Sequence, residues 1–139
     1  MTALPADKVH PVPLVADVMS KPVLTVEVNE TLWDAWQLLF VSGLRHLVVI
    51  DDAGACLGVL SDRNILSEVP MTAEHLQNRQ VTEVLARVPM LATKPDSSPK
   101  EAAELMTSHA VEALPVLDGI NRLVGIVTES DLVRWMSRN

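Results

Sequence analysis

The chain has a single cysteine, 11 basic residues against 18 acidic ones, and no long apolar run. Cys56 alone cannot close an internal disulfide, and its apolar neighbours suit a small buried hydrophobe better than a nucleophile. The net charge of −7 argues against the sequence-independent attraction to DNA or anionic bilayers that a basic surface supplies. Nothing approaches the roughly 18 consecutive apolar residues of a membrane span. The N-terminus carries Asp7, Lys8, Pro5, Pro11 and Pro13 where a signal peptide has a continuous apolar core. His10, His75 and His109 are scattered without metal-ligand spacing and read as surface residues. There is no glycine-rich phosphate loop, no nucleophile at a recognisable spacing from a base, and no acid pair. These absences lead to the expectation of a non-catalytic cytoplasmic protein, without a metal, nucleic-acid partner or membrane.

What is present is a folding sequence. The 139 residues are 48% apolar, enough for one domain or two small halves sharing a core that buries about two-thirds of the unfolded surface. Residues 1–14 are proline-rich and aperiodic and read as a loose arm. Val15-Ala16-Asp17-Val18-Met19 makes an apolar turn, and Val23-Leu24-Thr25-Val26 a strand. Thr31-Leu32-Trp33-Asp34 is a capping-box pattern opening a helix with Leu32, Ala35, Trp36 and Leu39 on one face. Gly43 closes it. Leu47–Ile50, the turn Asp51–Gly54 and Cys56–Leu60 read as a hairpin, and a helix starts at Ser61.

After a polar connector, 70–80, the same order returns. Val81–Leu85 matches Val15–Met19, Met90-Leu91-Ala92 supplies the strand, and Ser98-Pro99-Lys100-Glu101 is a capping box with proline at the first helical position. Ala102, Ala103, Met106 and Ala110 occupy the helix stripe. From proline 22 onward the offset is a constant 67 residues, with identities at Leu24/Leu91, Ala35/Ala102, Leu38/Leu105, Leu47/Leu114, Val49/Val116, Asp51/Asp118 and Gly58/Gly125. The chain is an internal duplication, with repeats at 15–69 and 81–139. The fold expected is α/β of the α+β type: two β-α-β-β-α units closed about a pseudo-twofold axis, sheets inside and helices outside. Two clefts would then open between the halves.

Two strand–helix junctions share one grammar: Gly58-Val59-Leu60-Ser61-Asp62-Arg63-Asn64 and Gly125-Ile126-Val127-Thr128-Glu129-Ser130-Asp131. With Val15–Ser20 and the Leu-Val-Val-Ile-Asp and Leu-Pro-Val-Leu-Asp strands, they make the repeat resemble the cystathionine-β-synthase (CBS) domain, and the tandem a Bateman module. The resemblance covers residues 15 to about 137. It implies a regulatory module that binds an adenosine-containing ligand (AMP, ADP, ATP, S-adenosylmethionine or NAD) in its clefts. It also implies a homodimer packed through helices and an unidentified protein target.

Carried onto this chain, the resemblance implies two unequal sites. The stronger combines Thr128 and Asp131 with Ser20, Leu24, Leu44, Arg45 and His46. The weaker combines Ser61, Arg63 and Asn64 with Ala86, Leu91, Val111 and Glu112. In the weaker site Asn64 stands where the ribose-binding acid is expected and Glu112 where the other repeat has Arg45; in the stronger, Ser130 stands where an arginine often precedes the acid. Physically, a hydroxyl at a helix N-terminus lies beside free N–H groups and the positive end of the dipole. A carboxylate one turn on can accept from a ribose diol.

Plainer readings exist for each. Thr128 and Asp131 form an acceptable capping box on their own. Arg45 and His46 end a helix, where cations suit the dipole. Trp33 and Trp36 fit core or dimer packing, and Arg134 and Arg138 a solvated terminal helix. Glu129 disfavours a long phosphate chain, which points to AMP or S-adenosylmethionine over ATP. The competing function is a dimeric CBS scaffold that has lost its ligand.

Overall fold

The computed structural model describes residues 12–88 and 90–138. Most of the proposed N-terminal arm, with His10, lies outside them. The elements are α1 (Val15–Val18), β1 (Thr25–Glu27), α2 (Leu32–Ser42), β2 (His46–Ile50), β3 (Cys56–Ser61), α3 (Asp62–Glu68), α4 (Ala73–Gln77), α5 (Val81–Leu85), α6 (Pro99–His109), β4 (Ala113–Leu117), β5 (Leu123–Thr128) and α7 (Glu129–Arg138). No described helix is long and apolar enough to cross a membrane.

Local chemistry sets the helix starts. Thr31 Oγ1 accepts from the Asp34 amide and Asp34 Oδ2 from the Thr31 amide. Ser98 and Glu101 repeat the exchange at α6, so two otherwise unpaired N–H groups are satisfied at each end. Hydrogen bonds from Ser98 hold the Glu101 carboxyl below its usual range. Gly43 closes α2 in the left-handed conformation, φ 72°. The matching position closing α6 is Ala110, also left-handed at φ 54° and exposed. Ala110 therefore does not extend the buried stripe, which holds Ala102 and Met106. Both hairpin turns are tied by an aspartate: Asp51 Oδ1 accepts from the amides of Ala53 and Ala55, and Asp118 Oδ1 from those of Ile120 and Arg122.

In the first sheet β1 runs parallel to β2, and β2 antiparallel to β3. Among the described residues the second sheet contains only β4 and β5. The strand expected at Met90-Leu91-Ala92 is replaced by one bridge between Thr93 and Val116. Two prolines explain the difference. In the first repeat Val48 N donates to Leu24 O, and Val28 N to Ile50 O. The matching donors in the second repeat are Pro115 and Pro95, which have no N–H. Only the inner pair survives, Thr93 N to Pro115 O and Leu117 N to Thr93 O.

The connector also differs from expectation. Thr72 caps α4, whose Leu76 is buried. Five residues carry too little periodicity to announce a helix.

The two sheets face each other through Val48, Val59, Ala113 and Ile126, with the helices packed over them. The leading helices are exchanged. Val15 of α1 is buried with Ala102, Met106 and Leu114 of the second repeat, and its amide donates to Ser97 O. Val81 and Val84 of α5 are buried with Leu32, Leu47 and Leu60 of the first. Beyond α1, Ser20 exchanges both backbone hydrogen bonds with Ile126 on β5. This exchange brings residues distant in sequence to the strand–helix junctions.

Candidate functional site

At the β5–α7 junction Asp131 N donates to Thr128 Oγ1 at 3.2 Å, and Thr128 N donates to Asp131 Oδ2 at 2.9 Å. The capping reading is therefore realised. Asp131 does more than cap, however. Its side chain is buried, Ser20 Oγ donates to Oδ1 at 2.8 Å across the repeats, and Arg134 Nη1 donates to the same oxygen at 3.2 Å. Hydroxyl, amide and guanidinium donors offset the cost of burying this charge. At the β3–α3 junction Ser61 and Asn64 form the same box, at 2.8 and 3.0 Å. Asn64 has no Ser20 counterpart in its bonding.

Each junction opens onto a cleft between the repeats. The larger encloses about 550 Å³ and is lined by all seven residues expected there: Ser20, Leu24, Leu44, Arg45, His46, Thr128 and Asp131. Lys21, Glu112, Glu129 and Arg134 join them. The smaller, about 370 Å³, is lined by Ser61, Arg63, Asn64, Leu91, Val111 and Glu112. Ala86 is not on its wall; Arg87 and Val88 are. The reason is a one-residue difference in spacing. The leading helices match at an offset of 66 residues (Val15 to Val81) and the strands at 67 (Leu24 to Leu91), and Ala86 is spent as a helical cap residue.

The charges are arranged unequally. The larger cleft presents Lys21, Arg45 and Arg134 against Glu112, Glu129 and Asp131. The smaller presents Arg63 and Arg87 against Glu112, with His46 and His109 also on its wall. Glu112 and His46 line both. Arg63 Nη1 lies 2.7 Å from Glu112 Oε1, and Arg45 Nε 3.5 Å from Asp62 Oδ2. Burial holds the His46 imidazole below its usual range, against the pull of Glu112 and Asp62. Cys56 is half-buried, and desolvation pushes its thiol up, which suits packing and not nucleophilic chemistry. Among the described residues no group of three His, Cys, Asp or Glu side chains is placed to hold a metal ion.

Sequence reasoning missed Arg134, treated as solvated, and Arg87 and His109. For Arg134 a signal existed: it lies three residues after Asp131, on the same helix face. For Arg87 the signal was the spacing difference between helix and strand.

The CBS domain family model matches residues 15–70 and 81–138. Among curated proteins, a homoserine O-acetyltransferase of Methanococcoides burtonii is 32% identical over 120 residues, covering 86% of this chain. The chain spans only 23% of that relative's length. Among solved structures, a CBS domain pair in complex with 5-methylthioadenosine and S-adenosyl-L-methionine superposes with a TM-score of 0.77 at 27% identity, over 92% of this chain and 98% of that one. CBSX2 in complex with AMP gives a TM-score of 0.75, also at 27% identity, over 91% of this chain and 97% of that one.

Proposed function

The chain belongs to the CBS-domain family, and we propose that it is a non-catalytic regulatory module sensing an adenosine-containing ligand in the Thr128 cleft. The observation that carries this reading is Asp131: a buried carboxylate, anchored by Ser20 of the other repeat, on the wall of the larger cleft. An acceptor held this rigidly is pre-organised for a ribose diol, and ligand binding there would bridge both repeats. Structural neighbours that bind AMP or S-adenosyl-L-methionine support the ligand class. Three cationic and three anionic side chains line the cleft. This balance favours AMP or the sulfonium S-adenosylmethionine over ATP. The Ser61 cleft is the weaker site in this reading.

The reading includes a cytoplasmic homodimer acting on a protein target. Phe40 and Val41 on α2 are 80% and 85% exposed, and a second copy packed on them would remove this apolar surface from water. A Phe40→Asp variant that sediments as wild type does would remove α2 from the dimer.

One observation favours the alternative, a ligand-free dimeric scaffold: the polar groups of both junctions are already paired within the protein. A thermal-shift panel with AMP, ADP, ATP, S-adenosylmethionine and NAD separates the two. A ligand at a hundred times its dissociation constant adds about 2.7 kcal/mol of stability. The sensor reading expects a shift that Asp131→Ala abolishes and Asn64→Ala leaves; no shift with any ligand selects the scaffold.

A further inference from the structure

Corresponding charges in the two repeats break the internal symmetry. In the first repeat, Arg45 at the start of the hairpin pairs with Asp62 at the start of α3. The matching positions in the second repeat are Glu112 and Glu129, both acids. Their backbones keep the same contact, Glu129 N donating to Glu112 O at 2.9 Å as Asp62 N does to Arg45 O at 3.1 Å. The side chains cannot pair. Glu112 instead reaches across to Arg63 of the first repeat, and Ser130, at the position matching Arg63, has no charge to return to Arg45. The result is one ion pair whose acid lines both clefts and whose base lines only the smaller one.

We propose that Glu112 couples the two clefts: a phosphate-bearing ligand in the Ser61 cleft draws Arg63 away, leaving Glu112 without its partner on the wall of the Thr128 cleft and shifting that cleft toward a cationic adenosine ligand. The inference rests on the adenosine-sensor reading, with S-adenosylmethionine as the ligand of the Thr128 cleft and AMP as the ligand of the Ser61 cleft. Its chemistry is undemanding. The Arg63 side chain is 69% exposed, and an exposed pair contributes little to stability, so a phosphate flanked by Arg63 and Arg87 competes for the guanidinium with a doubly charged acceptor. Once Arg63 leaves, Glu112 is no longer neutralised, so Lys21, Arg45 and Arg134 on this wall are met by three unscreened acids where there were two, and the cleft turns more negative. A sulfonium gains from that field and a second phosphate loses. By linkage the effect is reciprocal: the cationic ligand in the larger cleft strengthens phosphate binding in the smaller.

The test is a calorimetric titration of S-adenosylmethionine into the full chain, with and without saturating AMP, in wild type, Arg63→Gln, Glu112→Gln and the double variant. In wild type AMP should tighten S-adenosylmethionine binding about fivefold, the low end for coupled sites. Arg63→Gln should bind it about fivefold tighter without AMP and show no further gain, because Glu112 is already released. Glu112→Gln and the double variant should bind it alike and ignore AMP. Weakening by AMP in wild type, which means competition for one cleft, overturns the proposal. So does an AMP effect that survives in Glu112→Gln. If both ligands bind without influencing each other, the coupling alone fails; if neither binds, the sensor reading fails and the coupling with it.

Discussion

Met19 sits directly on Gly125. A Cβ at that glycine would stand 2.5 Å from the methionine sulfur and 3.0 Å from its Cγ. The end of the leading helix of one repeat thus rests on the last strand of the other. The reciprocal contact is present too: a Cβ on Gly58 would lie 3.0 Å from Leu85 Cδ1. The glycine that opens each junction motif makes room for the exchanged helix.

The two glycines should nevertheless respond differently to substitution. Gly125→Ala overpacks the contact and should cost about 1–3 kcal/mol. Met19→Ala in the same chain should recover much of that loss, so the pair is strongly non-additive in chemical denaturation. Gly58 has φ 150°, where an L side chain is strained, so Gly58→Ala should stay destabilised by about 1–3 kcal/mol even with Leu85→Ala. Equal rescue at both sites would show that packing alone governs them.

Ala110→Gly should stabilise the protein. Ala110 closes α6 at φ 54°, a conformation that costs a residue with a Cβ roughly 1–2 kcal/mol. The extra backbone entropy of glycine takes back about 0.5–1 kcal/mol. A net gain of up to about 1.5 kcal/mol is expected in urea unfolding, and the matching Gly43→Ala should lose a similar amount. An unstable Ala110→Gly protein would mean that the cap is held by contacts of its methyl group.

Asp131→Ala should destabilise the unliganded chain more than Asn64→Ala. Both remove the third-position partner of a capping box, which accepts from the backbone N–H of the cap residue. Only Asp131→Ala also removes the acceptor shared by the Ser20 hydroxyl and the Arg134 guanidinium. Comparable losses in the two variants would show that the bonds across the repeats contribute nothing to stability.

Acidification should weaken the fold through His46. Its imidazole is harder to protonate in the folded chain than in the unfolded one. Below the ordinary histidine pKa of about 6.5 the unfolded state therefore binds the proton more readily, and stability falls as pH drops from there toward the folded-state value. Between pH 7.5 and 5.5 the melting temperature of wild type should fall further than that of His46→Gln. Equal falls would assign the acid sensitivity to other groups.

Much of this protein is determined by its sequence alone, because the relevant chemistry is local. Thr31 with Asp34, Ser98 with Glu101, and Asp51 and Asp118 in their turns bond to groups within four residues. The spacing of residue types then suffices to place helices and hairpins. The duplication added the long-range frame, and the resemblance to the CBS family supplied the seven side chains that the structure gathers in the Thr128 cleft. Even the lost strand of the second repeat was legible in principle, in the two prolines that cannot donate. Only the tertiary structure decided which half each leading helix covers. An apolar helix such as Val81–Leu85 matches either core equally well by composition, and chain closure selects between them. Closure likewise turned Glu112 from Glu129 to Arg63 and set Ser20 against Asp131. Partners separated by 49 and 111 positions leave no periodic trace in the chain, since their distance is set by how the two sheets meet.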